Sequence, residues 1–171
     1  MLNFNKAANQ SGRSMIEMLG VLAIVGVLSA GGIAGYSMAM QNYKSLQLIE
    51  KVQTVAMQAR ALYKGNYEGS KIQDLVDSGR ISDYKDPFGG NLSMGVSTLG
   101  SNVLSIVAHN IPAEACVDIL TADYGEKGVF EGFNFNDNVF GYVNNRYPIT
   151  MTKAISLCEG GNKKIIWYFK N

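Results

Sequence analysis

Hydrophobic and polar positions divide this chain after its first quarter. Residues 18–43 contain no Asp, Glu, Lys or Arg. These 26 residues are rich in Leu, Ile, Val, Met, Ala and Gly. About 20 such residues cross a bilayer as a helix, so the segment can span one. Beyond it, Leu46, Ile49, Val52, Ala56, Ala59 and Tyr63 recur at spacings of three and four. That is the period of one helical face. Gln47, Glu50, Gln53 and Arg60 occupy other positions. No proline occurs before Pro87, and Gly65-Asn66 is a stop signal. One helix is expected over residues 14–64, about 76 Å long at 1.5 Å per residue. Its first half belongs in a membrane. The stripe on its second half needs a folded partner to cover it.

The pattern then shortens. Residues 72–76 are expected to form a short helix, with Ser70 as its cap. Asp86-Pro87-Phe88-Gly89-Gly90-Asn91 is a strong turn cluster. Residues 92–97 and 103–109 alternate as strands do. A helix opens near Pro112, which suits a first turn, and Glu114 favours the helix dipole. Residues 129–135 and 139–144 are further strand candidates. Thr150 or Thr152 can cap a short helix ending at Leu157. Residues 164–169, Lys-Ile-Ile-Trp-Tyr-Phe, make a final strand.

Charge sets the orientation. Lys6 and Arg13 precede the span, and positive flanks stay cytoplasmic. The C-terminal domain is therefore expected to be exported. The apolar run is too long for an ordinary secretory signal core. Ser29-Ala30-Gly31 is the nearest approach to a conventional cleavage site. Net charge is +1, so no broad electrostatic footprint invites nucleic acid. A near-neutral subunit packs against copies of itself without strong repulsion.

The apolar segment carries one carboxylate at its mouth, Glu17. Deep in a bilayer an ionised carboxylate costs roughly 2.5–3.5 kcal/mol, and less at the rim. Glu17 either marks where the span ends or waits for a cationic partner. It is the fifth residue after Gly12, which closes a short basic leader. In this arrangement the chain resembles the type IV pilins and their pseudopilin relatives. Their signal is a basic leader ending in Gly, then a few residues, then Glu at the fifth mature position, then an apolar helix. Met1 to Gly12 matches the leader, and Arg13-Ser14-Met15-Ile16-Glu17 matches the residues after the cut. Arg13 departs from the apolar residue usual at the first position. Pro87-Phe88-Gly89-Gly90 resembles an element ahead of the first strand in type IVb pilins.

Two cysteines, Cys116 and Cys158, lie in the part expected to be exported. Export permits a disulfide, which would close a loop of about 43 residues and contribute roughly 4 kcal/mol in the chain-entropy picture. Two free thiols remain the alternative. One histidine and no Cys-x-x-Cys make a zinc site a poor third. The resemblance implies the bridge, as the C-terminal disulfide-bounded region of type IV pilins. Ile111-Pro112 ahead of Cys116, and the helix before Cys158, favour the type IVb branch.

The chain shows no Gly-x-Ser-x-Gly elbow, Walker loop or paired-His motif. His109 is the single histidine, at the end of a strand, where a surface or core role outweighs base catalysis. Asp83 and Asp86 supply too few ligands for a calcium loop. No enzyme and no cofactor are expected.

The resemblance implies an α+β fold: a long N-terminal helix, half transmembrane, packed on a small antiparallel sheet, with a C-terminal disulfide-bounded region. It divides the chain into a leader (1–12), a transmembrane and assembly segment (13–43) and an exported globular domain (44–171). It implies cleavage between Gly12 and Arg13 by a prepilin peptidase, and N-methylation of the new terminus. It further implies assembly through Glu17 into a helical filament by an inner-membrane platform with a cytoplasmic ATPase. Membrane lipid surrounds the helix before assembly, and no nucleic-acid partner is expected. A type II secretion pseudopilin is the alternative within the class. A membrane-tethered binding module for DNA or a surface ligand is the alternative outside it.

Overall fold

The computed structural model describes residues 8–125, 129–135, 138–141 and 147–170, without the side chains of residues 8–14 and 138–140. The first seven leader residues, and positions 142–144 of one expected strand, lie outside the described residues.

Helix α1 runs Ala8–Tyr63, 56 residues. It starts earlier than residue 14, because nothing between Ala8 and Arg13 breaks a helix. It stops where expected. Lys64 and Gly65 adopt φ of +49° and +87°, and the Lys64 N–H still reaches the Arg60 carbonyl at 3.0 Å. A left-handed pair of this kind closes a helix, and glycine takes it without penalty.

The chain forms two compact units, residues 1–40 and 41–171. The first is helical in all its described residues. The second holds the sheet and the hydrophobic core. After α1 come α2 (Ile72–Asp77), β1 (Ser93–Ser97), β2 (Gly100–Ile111), α3 (Ala113–Thr121), β3 (Phe130–Phe135), β4 (Asn138–Gly141), α4 (Met151–Cys158) and β5 (Lys163–Lys170). The described strands form one sheet in the order β1-β2-β5-β3-β4. Every neighbouring pair is antiparallel.

Register follows from side-chain alternation. Ile165, Trp167 and Phe169 on β5 are buried and stand opposite Ala108, Ile106 and Leu104 on β2. On the other side of β5, Phe135 and Phe133 stand opposite Ile165 and Trp167. A one-residue slip would turn these apolar residues away from the core, so the register is strongly specified. Pairing shifts between Ala108 and Ile111, where Asn110 has φ +60° and His109 is exposed.

The domain half of α1 contributes Leu48, Val52, Val55, Ala56 and Ala59 to the core. Val52, Ala56 and Ala59 are buried as their spacing predicts. Leu46 is corrected: it is 65% exposed, and Leu48 is fully buried instead. Spacings of four, three and four link positions 48, 52, 55 and 59. Leu46 stands about 200° around the helix from Leu48 and cannot share that face. The Ser70 cap is also corrected. The residue before α2 is Lys71, whose N–H donates to the Asp74 carboxylate at 3.1 Å. Asp74 reaches back from the third helical position, which leaves Ser70 without a capping role.

The turn at residues 86–90 is built around a buried acid. Asp86 Oδ1 accepts from the N–H groups of Phe88 (2.7 Å) and Gly90 (3.1 Å). Lys85 and Asn91 then pair as an isolated antiparallel bridge. A Cβ on Gly90 would collide with the Asp86 carboxylate, so this position requires glycine.

Candidate assembly surface

α1 contains the single described helix long and apolar enough to cross a membrane, with mean hydropathy 2.1 over its best window. Every side chain from residue 15 to residue 39 is exposed in the isolated chain. Met15, Ile16, Leu19, Leu22, Ile24, Leu28, Ile33 and Tyr36 all belong to this surface. A helix that is apolar all round has no side suited to water. It needs lipid, or other helices, around its whole circumference.

Glu17 is exposed on this helix, and its carboxylate has no partner among the described residues. Gly12 and Arg13 lie within the helical backbone of α1, and their side chains are outside the described residues. The sequence-derived site residues therefore occupy one short stretch of one helix. That arrangement supports no chemistry within a single chain.

The cysteines are far from this stretch in sequence and serve the domain. Cys116 on α3 and Cys158 on α4 form a disulfide, with Cα atoms 5.8 Å apart. Both are buried. The bridge ties α4 to α3 across a sequence separation of 42 residues. The same core holds an aromatic cluster. The Tyr124 ring stacks on Phe130 at 5.0 Å and meets Phe133 edge-on at 5.3 Å. The Tyr124 hydroxyl donates to the Ile119 carbonyl at 3.1 Å. Burial pushes the Tyr124 hydroxyl far above its ordinary pKa, so it remains a neutral donor.

Charge latches join α1 to the segment before β1. Lys51 Nζ donates to Asp83 Oδ1 at 2.5 Å and to the Lys85 carbonyl at 2.7 Å. The Lys51 ammonium, with the Lys85 N–H, holds the Asp83 carboxyl below the usual carboxylate range. The Tyr63 hydroxyl donates to Asp74, and with the Lys71 N–H it does the same there. Sequence reasoning missed both latches, since their partners are 32 and 11 residues apart. Of the two acids weighed in sequence as cation ligands, Asp83 gives Oδ1 to Lys51 and Asp86 gives Oδ1 to the turn backbone, and Asp86 Oδ2 is buried without a hydrogen-bond partner among the described residues. Among the described residues no three His, Cys, Asp or Glu side chains gather as metal ligands.

No protein-family model matches the chain. It is 27% identical over 164 residues to the major structural subunit of the bundle-forming pilus from Escherichia coli O127:H6 (strain E2348/69 / EPEC). The match covers 88% of this chain and 85% of the relative. The same subunit from Escherichia coli O111:H- matches equally. Among solved structures, the type IVb pilin of Salmonella typhi superposes with a TM-score of 0.56 at 21% identity, covering 73% of this chain and 99% of that one. TcpA, a type IV pilin from the El Tor biotype of Vibrio cholerae, gives 0.56 at 15% identity, covering 75% and 99%. Over most of its length the chain is thus similar in sequence to pilus major subunits, and it shares the fold of solved type IV pilins.

Proposed function

We propose that the chain is a structural subunit of a type IV pilus of the IVb kind, polymerising through α1. One observation carries this: a helical surface from residue 15 to residue 39, apolar except for Glu17 and two serines, exposed in the single chain. Such a surface is stable in two settings, a bilayer and a bundle of similar helices. A subunit that waits in the first and is transferred to the second polymerises. The curated relatives carry the name of pilus major subunits, and the same structural, non-enzymatic role is carried to this chain.

The finer steps belong to the same proposal. A prepilin peptidase cuts between Gly12 and Arg13, and the new amino terminus is methylated. Lys6 and Arg13 keep the precursor's N-terminus cytoplasmic and the domain from residue 44 onward periplasmic. An inner-membrane platform with a cytoplasmic ATPase extracts the subunit into a filament that ends outside the cell. During docking, Glu17 of one chain meets the free amine at Arg13 of a neighbour. A buried charge is tolerated when paired and costly when alone. The pair therefore gives a register to an otherwise slippery apolar helix.

Electron microscopy of sheared surface material, with intact-mass measurement of its subunit, tests this reading. Filaments composed of a polypeptide beginning at Arg13 are expected. A chain that stays in the membrane fraction and never enters a filament contradicts it.

A further inference from the structure

A second feature of the domain lies at the end of the uncharged run. A groove of about 340 Å³ separates α1 from α3. Leu46, Ile49 and Ala122 make its apolar wall, and Asn42, Asp118 and Thr121 supply polar groups. Asn42 is itself part of the uncharged run of residues 18–43, and Leu46 lies one turn beyond it. Exposed Tyr43, beside Asn42, is a residue type that gathers at membrane–water boundaries.

The charge of this groove has one sign. Asp118 is its single charged lining residue. Glu114 is exposed one turn earlier on α3, and Asp123 follows the helix. Residues 113–125 contain no Lys or Arg. The Asp118 carboxylate is exposed and carries no hydrogen bond or ion pair among the described residues. An acidic groove at a membrane boundary repels anionic headgroups. It suits a headgroup that carries an ammonium.

We propose that, in the membrane-anchored subunit, this groove holds the headgroup of an amine-bearing phospholipid of the phosphatidylethanolamine class. The ammonium donates to Asp118, a charge-assisted bond stronger than a neutral one. The Asn42 amide can donate to the headgroup's phosphate oxygens, while the Thr121 hydroxyl, which donates to the Val117 carbonyl, can accept from the ammonium. Leu46, Ile49 and Ala122 cover the glycerol and the first acyl methylenes. A choline headgroup has the same charge and no N–H to donate, so it fits less well. The proposal rests on the membrane-anchored precursor described above.

The test uses the full-length chain in two lipid nanodiscs. One contains phosphatidylethanolamine with phosphatidylglycerol, the other phosphatidylcholine with phosphatidylglycerol at the same ratio. Hydrogen exchange of the α3 amides is the readout. Exchange is expected to slow about tenfold in the ethanolamine disc relative to the choline disc. Asp118→Asn, at an exposed position without a partner, should fold normally and abolish that difference. Equal exchange in both discs overturns the proposal, as does a difference that survives Asp118→Asn. Protection that appears only in assembled filaments, whatever the lipid, assigns the groove to a neighbouring subunit and also overturns it. Normal filament yield alongside a failed lipid test removes the lipid site and leaves the pilin reading standing. Absence of the chain from membranes removes that reading.

Discussion

Two stretches of α1 share one backbone geometry and have opposite surroundings. Residues 15–39 are exposed on every side, although nearly all are apolar. Between residues 45 and 59, Ser45, Leu48, Val52, Val55, Ala56 and Ala59 are buried, and the other face stays open to water. The second stretch is the less apolar, yet it supplies the core. The distribution of apolar residues explains this better than their number. A one-sided stripe can be satisfied by its own domain. An all-round surface can be satisfied only by lipid or by other chains. The two stretches therefore carry different tasks, folding for one and assembly for the other, and substitutions should separate them.

The largest effect is expected on the assembly side. Glu17→Ala removes the charge proposed to pair with a neighbour's Arg13 amine, and leaving that amine buried alone would cost about 3–5 kcal/mol. Insertion and leader cleavage should persist, because the span becomes more apolar. Surface filament yield should fall at least about tenfold at an unchanged level of processed subunit. Wild-type filament yield from Glu17→Ala would mean that Glu17 only marks the end of the span.

The disulfide comes next, on the folding side. Cys158→Ser is expected to lower domain stability by about 2–5 kcal/mol. Denaturant unfolding of the variant measures it. Subunit level should drop while leader cleavage continues, whereas Glu17→Ala leaves the subunit level unchanged. An unchanged midpoint would remove the bridge as a source of stability.

A paired substitution inside α1 tests the stripe itself. Leu48→Ala should cost about 2–5 kcal/mol, as truncation of a fully buried leucine does. Leu46→Ala, two residues away and exposed, should stay within about 0.5 kcal/mol. Equal losses at both positions would contradict the assigned buried face.

The smallest effect is electrostatic. Asp83 and Asp74 have carboxyl pKa values held below the unfolded range, by Lys51 and by the Tyr63 hydroxyl respectively. Their contribution is full above the unfolded carboxyl value, about pH 4, and is lost as pH falls through the lower folded values. Both groups are at the surface, where such pairs contribute little. Melting temperature followed from pH 7 to pH 2.5 should show a shallow extra loss at the acid end. Asp83→Asn should flatten it, and an identical acid limb in that variant would remove the latch.

Local features were legible without the structure. The helix stop at Gly65-Asn66 rests on backbone conformation, and the final strand on five consecutive strand-favouring residues, Ile165 to Phe169. Where the structure departs from the sequence reading, competition between neighbours explains the difference. Leu46 and Leu48 are chemically identical, and periodicity admits either until the sheet supplies a face to cover one. Ser70 is a good capping residue, but Asp74 captures the N–H of Lys71 and starts α2 there. Strand β2 extends to Ile111 because Lys163 on β5 continues the pairing past the irregularity at His109 and Asn110.

The sequence by itself determined what one stretch of chain and its solvent settle between them. An uncharged run of 26 residues, a single carboxylate five positions after Gly12, and turn residues at element ends need no distant partner to be read. Tertiary structure alone decided what depends on residues remote in sequence. It joined Lys51 to Asp83, chose Leu48 over Leu46, and opened an acidic groove between α1 and α3. Short-range energies act through spacing along the chain, and spacing is written in sequence. Long-range contacts exist only after the sheet has fixed which faces meet, so their partners emerge with the fold.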